Sequence, residues 1–195
     1  MTPMKIDDVW VRALILLLAL GGLVIAGALV NNNLAASEVP ELAYTFRESP
    51  AFRMSYPDSW MYQMGQGRLL FGEKDGIFRG NPGPSIFVFR TDTLFEPTLR
   101  EKFDTYLRRG PLRGDRFQLV SEITETTFDG RPALEAHVEG RQVGGEESPL
   151  YHSYIVITQA DNGVVYVIGA DVPASMWDEN WPLIQAMLAT VDIRE

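Results

Sequence analysis

The sequence predicts an α+β fold: an antiparallel β-sheet packed with helices, preceded by one transmembrane helix. Three observations carry this. Residues 13–30 form an uninterrupted apolar run of 18. Beyond residue 44, short apolar or alternating segments are punctuated by Gly, Pro and Asn, as strands joined by turns are. Two further segments, one mid-chain and one C-terminal, space their apolar residues helically, so the order is strands, helix, strands, helix.

The run ALILLLALGGLVIAGALV would rise about 27 Å as a helix, close to a hydrocarbon core. Trp10 stands where an interfacial belt would hold it, and Arg12 can snorkel. Lys5, Arg12 and the amino terminus precede the run, and no base follows until Arg47. The positive-inside rule then sets residues 1–12 in the cytoplasm and the C-terminal part outside it. Cleavage of a signal peptide at Ala26-Gly27-Ala28, with secretion, is the alternative, but Leu29 and Val30 continue the run past that site. Residues 31–43 read as a linker, and 44–195 as one extracytoplasmic domain. That domain, about 150 residues, is long enough to bury close to 70% of its unfolded surface.

Within it, residues 51–56 alternate Phe52, Met54 and Tyr56 and end at the turn Pro57-Asp58. Residues 60–64 and 68–72 flank Gly65-Gln66-Gly67 as a hairpin, 73–84 read as loop, and 85–92 as a strand. Pro97 opens a helix whose face carries Leu99, Phe103, Tyr106 and Leu107, and Gly110-Pro111 stops it. Residues 117–128, 131–142, 150–159 and 164–170 are four more strands, with turns at Gly130 and Asp161-Asn162-Gly163. The last helix spaces Trp177, Trp181, Ile184, Leu188 and Val191. Ser175 or Asn180 is its expected cap, and Pro182 falls in its first turn.

Tyr56-Pro57-x-x-Trp60 after an apolar strand, the mid-chain helix, and an ending that runs from Tyr151-His152-Ser153-Tyr154 through Val164–Ile168 to Trp181 and Met187-Leu188 together resemble the PsbP-like family. Its type member is a lumenal extrinsic subunit of photosystem II, and its wider fold includes the Ran-binding Mog protein and bacterial extracytoplasmic lipoproteins. The similarity spans about residues 44–192. It implies a non-enzymatic binding or accessory subunit at a membrane complex. The chain has no cysteine, hence no lipobox, and a transmembrane helix would replace the lipid anchor. No photosystem-specific residue carries over.

The residues agree with a binding role. G-x-S-x-G, H-E-x-x-H and Walker signatures are absent. Carboxylate pairs such as Glu135/Glu139 and Glu146/Glu147 come with nothing that would raise a pKa or exclude water. Seventeen Lys and Arg against 26 Asp and Glu give a net charge of −9, which argues against nucleic acid as a partner. The charge is polarised. Residues 100–116 carry Arg100, Lys102, Arg108, Arg109, Arg113 and Arg116 for a local net of +3, while 117–195 carry −10. The basic segment is the expected docking face for an acidic partner in a membrane protein complex or for anionic headgroups, with Ile77 and Phe78 of the 73–84 loop as a second contact.

No cofactor is expected under this reading. The alternative is a divalent metal. Antiparallel pairing of 133–141 with 150–158 sets Leu134, Ala136 and Val138 against Ile157, Ile155 and Ser153 on the core face. The same register places His137 beside Tyr154 and Glu139 beside His152 on the outer face, with Glu135 two residues along. His137, His152, Glu135 and Glu139 are then candidate ligands, unless that face is ordinary solvated strand. Some members of the family it resembles bind metals, which adds interest to this cluster.

Overall fold

The apolar segments of the domain are too long and too continuous to leave one face wet, and the chain buries both. The computed structural model describes residues 40–48, 52–65, 68–74, 83–113, 117–141 and 148–194. The run 13–30, Ile77, Phe78, Arg116 and Glu146/Glu147 lie outside them. Among the described residues no helix is long and apolar enough to cross a membrane.

In chain order the elements are β1 (Tyr44–Glu48), β2 (Phe52–Tyr56), β3 (Trp60–Gly65), β4 (Arg68–Glu73), β5 (Ser85–Thr91), α1 (Leu99–Arg109), β6 (Phe117–Leu119), β7 (Thr124–Phe128), β8 (Arg131–Arg141), β9 (Leu150–Gln159), β10 (Val165–Pro173), α2 (Trp177–Leu188) and β11 (Asp192–Ile193). Eight strands form the main antiparallel sheet in the order β3-β4-β5-β10-β9-β8-β6, with β7 also on β8, and β1-β2-β11 form a second, smaller sheet. β8 and β9 pair in the expected register, Ala136 with Ile155 and His137 with Tyr154.

The main sheet is covered twice. On one face Phe103 and Leu107 of α1 pack on Ala136, Ile155, Ile157 and Val167. On the other, Ile184 and Met187 of α2, with Phe52 and Met54 of the small sheet, pack on Phe71, Val156 and Ile168. β9 and β10, at the centre, are accordingly apolar along nearly their whole length.

Local chemistry sets the ends. Thr98 caps α1 in a capping box: its Oγ accepts from Glu101 N at 3.2 Å and Glu101 Oε2 accepts from Thr98 N at 3.1 Å. Pro97 therefore sits just outside the helix rather than opening it. Asp129 and Gly130, at φ 49° and 72°, form the two-residue turn between β7 and β8, where both central residues need positive φ.

Four expectations are corrected. Residues 117–128 are two strands, because Val120–Ile123 bulge opposite Ala136 and His137, with Ser121 Oγ accepting from His137 N at 2.8 Å. β10 runs on to Pro173. A 3-10 turn, Ala174–Met176, leads into α2, which has no side-chain cap; Ser175 lies in that turn, and Asn180 lies inside the helix with its Nδ2 donating to Met176 O at 2.9 Å. Pro182 is the sixth residue of α2, where its missing N–H frees a carbonyl of exposed Asp178. Neither β1 nor β11 is among the expected elements. β11 is only two residues long, and it is held from outside: Asp129 Oδ2 accepts from Ile193 N at 2.8 Å, and Arg131 donates to Ile193 O at 2.9 Å.

Candidate functional site

The basic segment divides when folded. Lys102 is buried and its ammonium donates to Glu96 O, which withdraws it from any docking face. Arg100 faces Asp104 at 3.6 Å. Arg108, Arg109 and Arg113 are exposed at the C-terminal end of α1 and in the turn after it. Arg108 Nε donates to Asp104 O at 3.3 Å, and none of the three is in an ion pair among the described residues. Cations here also face the negative end of the helix dipole.

The histidine face is not solvated strand. α2 lays Trp177 and Trp181 across it, their rings stacked with centroids 4.7 Å apart. Trp177 lies 4.1 Å from the His152 ring and Trp181 lies 5.2 Å from Tyr154. His137 Nδ1 and His152 Nε2 approach to 3.1 Å, so one ring donates to the other. Glu135 is committed elsewhere, accepting from Tyr154 Oη at 2.8 Å. No group of three or more His, Cys, Asp or Glu among the described residues is arranged to hold a metal.

Both imidazoles titrate below their ordinary value. Burial lowers His137, with the neighbouring His152 adding and Glu135 opposing; burial lowers His152, with Glu139 opposing. A base whose folded pKa is depressed stabilises the fold least where it must be protonated. Stability is therefore full above about pH 6.5, the unfolded value, and falls as the unfolded chain gains protons below it. Thermal unfolding should give a lower Tm at pH 5 than at pH 7.5, and His137→Gln should flatten the dependence. An unchanged dependence in that variant would assign it to other groups.

The third site was not expected. An α1 of 11 residues is about 16 Å long, whereas the sheet is seven strands wide, with β6 and β7 sharing one edge of β8, and at about 4.8 Å spacing spans about 29 Å. Past the C-terminal end of the helix the sheet face is left open as a cavity of about 720 Å³. Its walls are apolar, with Leu70, Phe87, Phe89 and Ile155 from the sheet and Phe117 and Pro111 at the rim. Its polar side chains come from five elements: Gln63 of β3, Arg68 of β4, Tyr106 of α1, Ser153 of β9 and Asp171 of β10. β9 and β10 set Ser153 directly opposite Asp171, and Ser153 Oγ donates to Asp171 Oδ1 at 2.6 Å. The Arg68 guanidinium lies 5.0 Å from the centre of the Phe87 ring. Burial raises the Asp171 carboxyl, with the Ser153 bond and the Arg68 charge opposing. Burial also pushes the Tyr106 phenol up to about 12, with Arg68 opposing and Asp171 adding. The signal for this site is a carboxylate inside the apolar segment VVYVIGADVP.

No family model matches the sequence, and no curated protein matches it. Solved structures do match the fold. Cyanobacterial PsbP (CyanoP) from Synechocystis sp. PCC 6803 superposes with a TM-score of 0.56 at 14% identity, over 80% of this chain and 96% of that one. LpqN, involved in cell envelope biogenesis of Mycobacterium tuberculosis, gives 0.54 at 12%, over 78% and 90%. The Ran-binding protein Mog1p of Saccharomyces cerevisiae gives 0.50 at 15%, over 73% and 90%. At these identities the likeness establishes the fold alone: the domain is an α+β structure of the PsbP/Mog type.

Proposed function

We propose that the chain is a non-enzymatic accessory or assembly subunit, tethered to a membrane by residues 13–30 with its domain on the extracytoplasmic side, and that it docks on a membrane protein complex. The observation that carries this is the set of exposed guanidiniums Arg108, Arg109 and Arg113 at one end of α1, none of them in an ion pair among the described residues, on a chain of net charge −9. Such a localised cationic patch on an acidic molecule favours one orientation toward an acidic partner. The fold is compatible with a binding role, since Mog1p, which shares it, is Ran-binding.

Gentle extraction from native membranes should recover the chain in a large assembly. Arg108→Glu with Arg109→Glu should release it at moderate salt, because rim charges act through screened Coulomb attraction. Unchanged co-purification of the double variant would remove the docking face.

The histidine pair supports a second reading, as a divalent cation site. Two imidazoles on one tetrahedral zinc place their nitrogens about 3.3 Å apart, near the 3.1 Å here. The melts described above, repeated with Zn²⁺, decide it. A bound ion should raise Tm in the parent and not in His137→Ala, and equal curves would leave the pair as a hydrogen bond.

A further inference from the structure

The cavity beside α1 goes beyond a docking role. It is lined by a carboxyl and a guanidinium that form no ion pair with each other. Asp171 has one oxygen on Ser153 and no hydrogen-bond partner for the other among the described residues. No Arg or Lys among those residues reaches it within ion-pair distance. Arg68 likewise is in no ion pair among the described residues, and its guanidinium rests on an aromatic face. Asp171 is partly buried among apolar walls, where an unpaired charge is costly and a fitting counter-charge removes the cost; Arg68 lines the cavity from an exposed position. Apart from Gln63, Tyr106 and Ser153 the rest of the lining offers apolar and aromatic surface, and the volume lies in the range of small-molecule sites.

The geometry points to a binding site for a small apolar-bodied zwitterion of the amino-acid class, with its ammonium on Asp171, its carboxylate on Arg68 and its side chain between Phe87, Phe89 and Phe117. A ligand with one charge would satisfy one of the two protein groups and be repelled by the other. A zwitterion satisfies both, and Tyr106, held neutral, can donate to its carboxylate. The ammonium end also meets an aromatic wall, which attracts cations.

Three indole compounds separate the contributions: L-tryptophan, tryptamine, which lacks the carboxylate, and indole-3-propionate, which lacks the ammonium. Calorimetry on the full chain in lipid nanodiscs should give L-tryptophan an affinity about tenfold or more above either, since each charge-assisted hydrogen bond discriminates by at least that factor. In Asp171→Asn the advantage of L-tryptophan over indole-3-propionate should vanish, and in Arg68→Gln its advantage over tryptamine should vanish. Equal affinity for the three compounds, or no heat from L-tryptophan at about 10 mM, would overturn the proposal. The comparison on the parent chain needs no variant to fold. Asp171→Asn is in any case expected to keep or raise Tm at neutral pH, because it removes a charge that burial disfavours.

Discussion

Gly169→Ala should lower the unfolding free energy by about 3 kcal/mol, an overpacking cost at the upper end of the usual range. Gly169 lies in β10 opposite Phe87 of β5 and Ile155 of β9. A Cβ at this position would collide with Phe87 Cζ and meet Tyr154 O at 2.8 Å. The ring could be displaced by rotation, but the carbonyl belongs to the central ladder and moves only if β9 moves. The displaced ring is also the one beneath Arg68 and forms a wall of the cavity. The substitution should thus perturb cavity and stability together. Urea unfolding measures the loss, and a change under about 0.5 kcal/mol would mean that the strands slide apart freely at this point.

Phe103→Ala should cost about 3–5 kcal/mol, the range for removing a fully buried aromatic from a core. Phe103 is 0% exposed and is the largest fully buried side chain of α1, where it packs with Leu107 on Ala136 and Ile155. It carries more than its own area, since α1 is the only helix on its face of the sheet among the described residues. The capping box and the dipole-compatible arginines stabilise the helix locally by amounts of about 1 kcal/mol each. They do not hold it on the sheet. Equilibrium unfolding reports the loss, and hydrogen exchange should show the amides of α1 opening ahead of those of β9 and β10. Co-protection of helix and sheet in the variant would show that Leu107 and Leu99 suffice to dock α1.

The two α-helices, the long strands and the β8–β9 register were legible because each has a local cause. Apolar residues recur at the period of the element, and turns such as Asp129-Gly130 and Asp161-Asn162-Gly163 require residues that tolerate left-handed backbone. What covers the histidine face was not legible, for a reason of the same kind. Glu135-Ala136-His137-Val138-Glu139 alternates, and alternation reports which residues share a face without reporting what arrives to cover it. Trp177 and Trp181 come from α2, 40 residues on from His137. Lys102 was read with the arginines because charge along a segment is visible in sequence. That its stem would be buried and its ammonium turned to Glu96 O depends on where α1 docks. β11 has two residues and no periodicity to detect, and it exists because Asp129 and Arg131 bind its backbone.

By itself, then, the sequence determined the α+β class, the order of its long elements, the apolar segment 13–30 and the asymmetry of charge along the chain. These follow from composition and short-range periodicity. Tertiary structure alone decided that both faces of the sheet are covered, that two histidines meet beneath a tryptophan pair, and that Arg68, Tyr106, Ser153 and Asp171 surround one cavity. Those residues come from four elements spread over a hundred positions. Their meeting depends on strand order and on a helix too short for the sheet beneath it, neither of which has a local signature.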